Sequence, residues 1–373
     1  MRRSVLVVAV IAGLGAQVMV GAGGCASGAG ASAAPRSAPR GGSAREGVPE
    51  PVASATSAVE RSRLREAAID ELIELTRSPT AVVRANALEG LALAPARLRP
   101  RLAAGLVDGN EGVRAIAALI VGRERIGELV PSVRPLLDDE SAYVRVSAIA
   151  ALRMNGEEVD PTPIADALLG HRSARVRSHA AMVLGLLGDE SALPLLREAD
   201  RADPSRAALN ETAILRMQIV ESMIKLGDRS RLSGVRAALF PSRPEDLELT
   251  AMAVQVIGEV DDRASAGQVI QLSAYREGGR LMPAEVRLAC AATAARLGHP
   301  EGGFIAAEYA DSDRAIVRAQ VAAASGWMND ASSLERCRGL MGDPDPQVRA
   351  AAAASVLRIL GKGGAVADAA RGG

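Results

Sequence analysis

Apolar positions in this chain recur at helical spacing, in blocks. Between Ser173 and Asp189 they fall at Val176, Ala180, Val183, Leu184 and Leu187, one face of a helix, and the run closes on Gly188-Asp189. The pattern returns as PTAVVRANALEGLAL (79–93), GNEGVRAIAALIVG (109–122), ESAYVRVSAIAALRMNG (140–156), PAEVRLACAATAARLG (283–298), DSDRAIVRAQVAAASG (311–326) and DPDPQVRAAAAASVLRIL (343–360). Aligned on the second residue of the Val-Arg phrase, the anchors are Arg84, Arg114, Arg145, Arg177, Arg216, Thr250, Arg287, Arg318 and Arg349, spaced 30 to 39 residues apart. A period in that range marks a solenoid. A shorter amphipathic stretch precedes most anchors, as in ALPLLREAD, RLSGVRAALF, AGQVIQLSAY and SLERCRGLM. Each unit therefore reads as helix, turn, helix. In the last unit Asp343-Pro344-Asp345-Pro346 ends one helix and starts the next, because proline suits a first helical turn and Asp side chains accept from its free N–H groups. The alanines that follow hold a helix while letting neighbours approach closely.

These phrases resemble the HEAT-repeat family, in particular its short bacterial members, over about residues 59–361. The resemblance implies an all-α, right-handed α-solenoid of about nine HEAT-like helix pairs. At about 8–10 Å per packed layer an open stack would extend on the order of 80 Å. It also implies a ladder in which an Asp six residues before the Arg links consecutive units. Asp108 before Arg114, Asp139 before Arg145 and Asp343 before Arg349 keep that interval; Arg84, Arg177, Arg216, Arg287 and Arg318 are the remaining ladder arginines. Ser78, His171 and Ser312 stand where the Asp would be in other units, and Thr250 replaces the Arg of the sixth. The ladder arginines are expected to hold the stack together and to meet no ligand.

The first residues are of another kind. Arg2 and Arg3 precede the apolar run VLVVAVIAGLGAQVMV, and small residues lead to AGGC at 22–25, the layout of an export signal. AGGC resembles a bacterial lipobox, with Ala22 where Leu is preferred, and implies lipidation at Cys25. An ordinary secretory signal or an uncleaved anchor is the alternative. Residues 1–24 thus read as a lipoprotein-type signal, 25–58 as an Ala/Gly/Ser/Pro linker too poor in apolar groups to fold, 59–361 as the solenoid and 362–373 as a disordered tail. The expected location is the cell envelope, lipid-anchored at the outer membrane or its periplasmic face, or else soluble and periplasmic or secreted.

Composition removes some partners. Forty-four basic and 44 acidic residues leave a formal net charge of +0, so no overall field draws the chain to nucleic acid, and membrane contact is expected only through the anchor. A monomer is expected. The chemistry is sparse. His171, His179 and His299 sit at no metal-ligand spacing and read as surface or capping residues, and no Cys-x-x-Cys or His-Glu dipeptide occurs. Cys290 and Cys337 read as small buried hydrophobes. Neither a cofactor nor catalysis is expected; a bilin-lyase-like enzyme or enzyme accessory is the alternative reading.

One feature breaks the regularity. Units five to seven are lengthened between their two helices, at 197–210, 240–248 and 275–285. The longer loops share one edge and bring together Arg201, Arg206, Phe240, Arg243, Tyr275, Arg276 and Arg280, with arginine and tyrosine types over-represented where binding energy concentrates. The expected function is a non-catalytic scaffold that binds a protein or peptide partner on the solenoid surface. The concave groove of units one to four, with Tyr143 as its aromatic, is the competing surface.

Overall fold

The computed structural model describes residue 52 and residues 56–201, 209–241, 246–277 and 279–371. Among them lie nine helix pairs. The first is α1 (Ala58–Leu75) with α2 (Ala81–Leu91), the second α3 (Pro95–Gly105) with α4 (Glu111–Arg123). In the third, short helical turns around α5 (Val130–Val133) precede α6 (Ala142–Met154). Then follow α7 (Thr162–Gly170) with α8 (Ala174–Leu187), and α9 (Leu193–Arg201) with α10 (Leu209–Lys225). The sixth and seventh pairs are α11 (Leu232–Ala237) with α12 (Leu247–Glu259), and α13 (Ala266–Ala274) with α14 (Ala284–Arg296). The last are α15 (Gly303–Glu308) with α16 (Ala315–Met328), and α17 (Ala331–Leu340) with α18 (Pro346–Arg371). The fold is the expected all-α solenoid. A two-stranded hairpin interrupts it, β1 (Arg276–Glu277) against β2 (Arg280–Leu281), inside the long loop of unit seven.

Local signals set the helix ends. Ser57 and Glu60 form a capping box at α1, Asn110 caps α4 and Asp330 caps α17. Gly188 ends α8 in the left-handed region at φ 73°, where a Cβ would be strained, and Asn329 does the same for α16 at φ 57°. At the chain's end, α18 continues as helix through Gly361 to Arg371, beyond the point at which the sequence reading closes the solenoid. At the other end Val52, inside the stretch read as linker, is buried in the first core cluster. Cys25 lies outside the described residues.

The second helix of each pair packs on its counterparts before and after, and the first helices flank them. The run does not end open. Helix α18 packs against both α1 and α2, so unit nine closes on unit one. A single apolar cluster spans the seam, uniting Leu72, Leu88 and Leu91 with Ala350, Ala353, Val356 and Leu357. A Cβ on Gly90 would stand 2.9 Å from Leu72 and 3.1 Å from Ala354, so a glycine is what lets α2 and α18 approach. The extended superhelix expected from the repeats is therefore replaced by a closed ring. Each unit rotates against the last by a small angle, and nine of them bring the ends together.

Closure also removes the open groove. The inner helices are buried almost all round; in α4 every residue from Gly112 to Gly122 except the half-buried ladder residue Arg114 is buried. Tyr143, the aromatic expected in a concave site, is 2% exposed.

Candidate functional site

The Arg ladder forms as a two-ended clamp. Arg84 donates from Nε and Nη2 to both oxygens of Asp108, at 2.8 and 2.7 Å, and from Nη1 to the Ser78 carbonyl of its own turn at 2.8 Å. Arg114 grips Asp139 and the Asp108 carbonyl, and Arg318 grips Asp343 and the Ser312 carbonyl, in the same way. The carboxylate comes from the following unit, so each rung ties two units, and the bidentate geometry fixes their register. Hydrogen bonds from Arg318 hold the Asp343 carboxyl below the usual carboxylate range. At the seam Ser78 offers no carboxylate, and Arg349 turns instead to Glu71 on α1 at 2.8 Å. The ladder thereby runs across the closure.

Elsewhere the ladder departs from expectation. Arg145 donates to the Asp139 and Glu140 carbonyls of its own turn, because the acceptor place in unit four is held by His171, whose Nδ1 accepts from the Ser173 N–H. Arg177 reaches the Leu168 carbonyl, and Arg216 is exposed. Thr250 spans its turn by donating to the Ala238 and Asp246 carbonyls. Arg287, 3% exposed, is held by Glu308 and the Tyr309 hydroxyl rather than by residue 312. The gap runs from unit three to unit seven and so includes the three units that carry long loops. There a second set of straps on the opposite edge takes over: Arg197 to Asp228, Arg231 to Asp200 and a bidentate Arg236 to Asp262. Reading from the Val-Arg phrase alone misses these; the Gly-Asp that opens several units is the signal that leads to them.

The long-loop edge lies on the ladder face. Phe240 is 66% and Tyr275 52% exposed, each just past the first helix of adjacent units. Arg276 and Arg280 stand on the hairpin between Tyr275 and α14, and the Arg276 guanidinium donates to the Gly279 carbonyl. Arg201 ends α9 and lines a groove of about 1080 Å³ between units five and six, together with Arg216. Arg206 and Arg243 lie outside the described residues.

A second constellation has no counterpart in the sequence reading. Residues two before, two after and five after each anchor share one helix stripe that faces the ring axis. Contacts between units place them. Tyr143 stacks on His179 at 3.7 Å between ring centroids, Arg175 lies 4.9 Å above Tyr143, and Ser147 Oγ is 2.8 Å from His179 Nε2. Burial first, then the Arg175 charge, lowers His179 to about 3, so this histidine is a neutral core residue rather than the expected surface one. Burial pushes the Tyr143 hydroxyl up to about 12 and Glu89 up to about 8. Glu89 Oε1, Arg175 Nε and Gln320 Oε1 are buried without a hydrogen-bond partner. The axis is therefore filled with polar groups that their surroundings satisfy only in part. His299 is exposed, and Cys290 and Cys337 are free, buried thiols, with Cys337 pushed up to about 12 by desolvation. Among the described residues no group of His, Cys, Asp and Glu side chains is placed to hold a metal ion, and no helix is long and apolar enough to cross a membrane.

A family model described as HEAT repeats matches residues 130–215, from α5 into α10. The matched stretch carries HEAT repeats, and the helix pairs on either side of it continue the same alternation around the ring. A comparison with the curated proteins finds no match. Among solved structures, the chain is similar to human deoxyhypusine hydroxylase in complex with glycerol, at 17% identity over 72% of this chain and 97% of that one, with a TM-score of 0.36. It is similar to Kap121p at 12% identity and a TM-score of 0.31, over 77% of this chain and 37% of that one. An engineered protein follows at 13% identity, 69% and 95% coverage and a TM-score of 0.23.

Proposed function

We infer that the protein is a non-catalytic interaction module that holds a protein or peptide partner against the ladder face of the ring, in the arc of units five to seven. The supporting observation is the exposure of Phe240 and Tyr275 at equivalent places of adjacent units, with Tyr275 next to the hairpin that carries Arg276 and Arg280. Exposed apolar side chains rimmed by arginines are what a partner's contact surface uses. The module acts in the cell envelope, tethered through a lipid on Cys25.

A photo-crosslinking amino acid at position 275 tests the surface in cells. It should trap one discrete partner, which is lost when Phe240, Arg276 and Arg280 are replaced by Ala while far-UV circular dichroism stays unchanged. Equal trapping from the triple variant rejects this surface. The tether is tested separately: Cys25→Ser should abolish fatty-acid labelling of the protein, and labelling that persists in that variant excludes the anchor.

A further inference from the structure

The groove of about 1080 Å³ between units five and six is lined by α9, α10 and the start of unit six, with Leu249 of α12. Four arginines line it against two aspartates, and no further acid does so among the described residues. The two aspartates are already committed. Arg197 donates to Asp228 at 3.0 Å and Arg231 to Asp200 at 3.2 Å, straps that join α9 to unit six and hold the groove in shape before anything enters.

The other two arginines, Arg201 and Arg216, are unmatched. Both are exposed, and neither has a carboxylate within ion-pair reach among the described residues. The groove therefore carries an excess of guanidinium charge beside an apolar lining of Met217, Val220, Val235 and Leu249. A cleft lined by an excess of one sign concentrates the opposite charge, and guanidinium suits a carboxylate through its paired N–H donors.

An independent observation points the same way. Thr212 lines the groove one helical turn before Arg216, is 6% exposed, and its hydroxyl has no hydrogen-bond partner. A buried hydroxyl left unpaired costs free energy that an entering acceptor recovers. Arg201, Arg216 and Thr212 can all donate, so a ligand that meets them must accept. We propose that the partner of the ladder face inserts an acidic side chain here, its carboxylate taken by Arg201, Arg216 and Thr212 and an aliphatic neighbour resting on Val220, Val235 and Leu249. This rests on the interaction reading above and gives its partner a chemistry, an acidic peptide segment bearing aliphatic residues. Ala238 lines the groove and the exposed Phe240 follows two residues later, so groove and aromatic surface are continuous.

A library of random heptapeptides, displayed inside a phage coat protein so that no free terminus is presented, is selected on the full chain. Recovered sequences should carry Asp or Glu next to Leu, Ile or Val. The strongest of them, made with both ends blocked, is titrated by calorimetry. Replacing its acid by the matching amide should weaken binding at least tenfold, as should Arg201→Gln and Arg216→Gln in the protein, whereas Arg77→Gln on exposed unit one should not. Both arginines are exposed and unpaired, so these variants keep the fold. Thr212→Val should weaken binding at least threefold without lowering the melting temperature, and Thr212→Ser should restore it. Selection of sequences without an acid, or binding that neither the amide nor the two arginine variants diminish, overturns the proposal. Crosslinking from position 275 separates the groove from the surface. Trapping that survives Arg201→Gln with Arg216→Gln, but is lost in the Phe240, Arg276 and Arg280 triple variant, keeps the surface and rejects the groove. Peptide binding that depends on Arg201 and Arg216 while nothing is trapped at 275 keeps the groove and rejects the surface.

Discussion

Closure makes a prediction that an open solenoid does not share. Leu72 is fully buried on α1 and meets Gly90 and Ala354 at the seam. Leu72→Ala removes a buried side chain there at about 2–5 kcal/mol. In an open stack the loss would be local, because each repeat touches only its neighbours and the ends fray. In the ring, α1, α2 and α18 share one interface, so the loss reaches residues nearly 280 positions away along the chain, as the Arg349–Glu71 rung does. Amide hydrogen exchange reads this out. In the wild type α1 and residues 346–359 of α18 should be protected as strongly as α6. In Leu72→Ala exchange in α1, α2 and α18 should accelerate together, by roughly 30-fold to a few thousand-fold, since about 1.4 kcal/mol is tenfold. If α18 keeps its wild-type protection while α1 alone exchanges faster, the ring is not closed in solution and the reasoning fails.

Two pH dependences follow from the buried acids. Burial raises Glu89 to about 8, so the stability tied to its neutral form is complete below the unfolded value near 4.5 and is lost as pH rises towards 8. Glu89→Gln should remove that loss, its melting temperature gaining on the wild type from pH 5 to pH 8; a constant difference rejects the assignment. Asp343 behaves oppositely: its carboxyl is depressed by the bonds from Arg318, so its contribution is present above the unfolded value and is lost as pH falls through the folded one. Asp343→Asn should cost about 1–3 kcal/mol at pH 7 and progressively less as the pH falls below the usual carboxylate range, measured by urea unfolding along that pH series.

How much of this was legible depends on the range of the interaction that decides it. Helix pairs, caps and the long loops were readable because a 3.6-residue stripe, an Asp-Pro turn and an uneven period are local. The ladder was readable in part: Arg84, Arg114 and Arg318 find the acid of the next unit, whereas Arg145 and Arg287 take whatever the turn supplies once His171 and Ser312 replace it. Closure was not readable, because it depends on the sum of small rotations over nine units, and the one residue that betrays it, Glu71, looks like any charge on an amphipathic helix. The axis stripe escaped for another reason. A search for motifs asks which reactive residues are adjacent in sequence, and Tyr143 and His179 are adjacent only in register, one unit apart.

The two edges of the ring divide the work. A closed ring with a filled axis offers its two faces and its outer wall for binding, and on the ladder face the rungs that would rigidify the turns are missing where the loops are long. Units five to seven stay joined because Arg236–Asp262 and Arg197–Asp228 carry the register on the far edge. Removing a ladder acid at Asp108 or Asp139 would loosen two units, but in the long-loop arc the turns carry no such duty and are free to vary in length and sequence. The exposed aromatic pair therefore sits where the fold places least demand on the turn, which is where a contact surface can be built without weakening the ring.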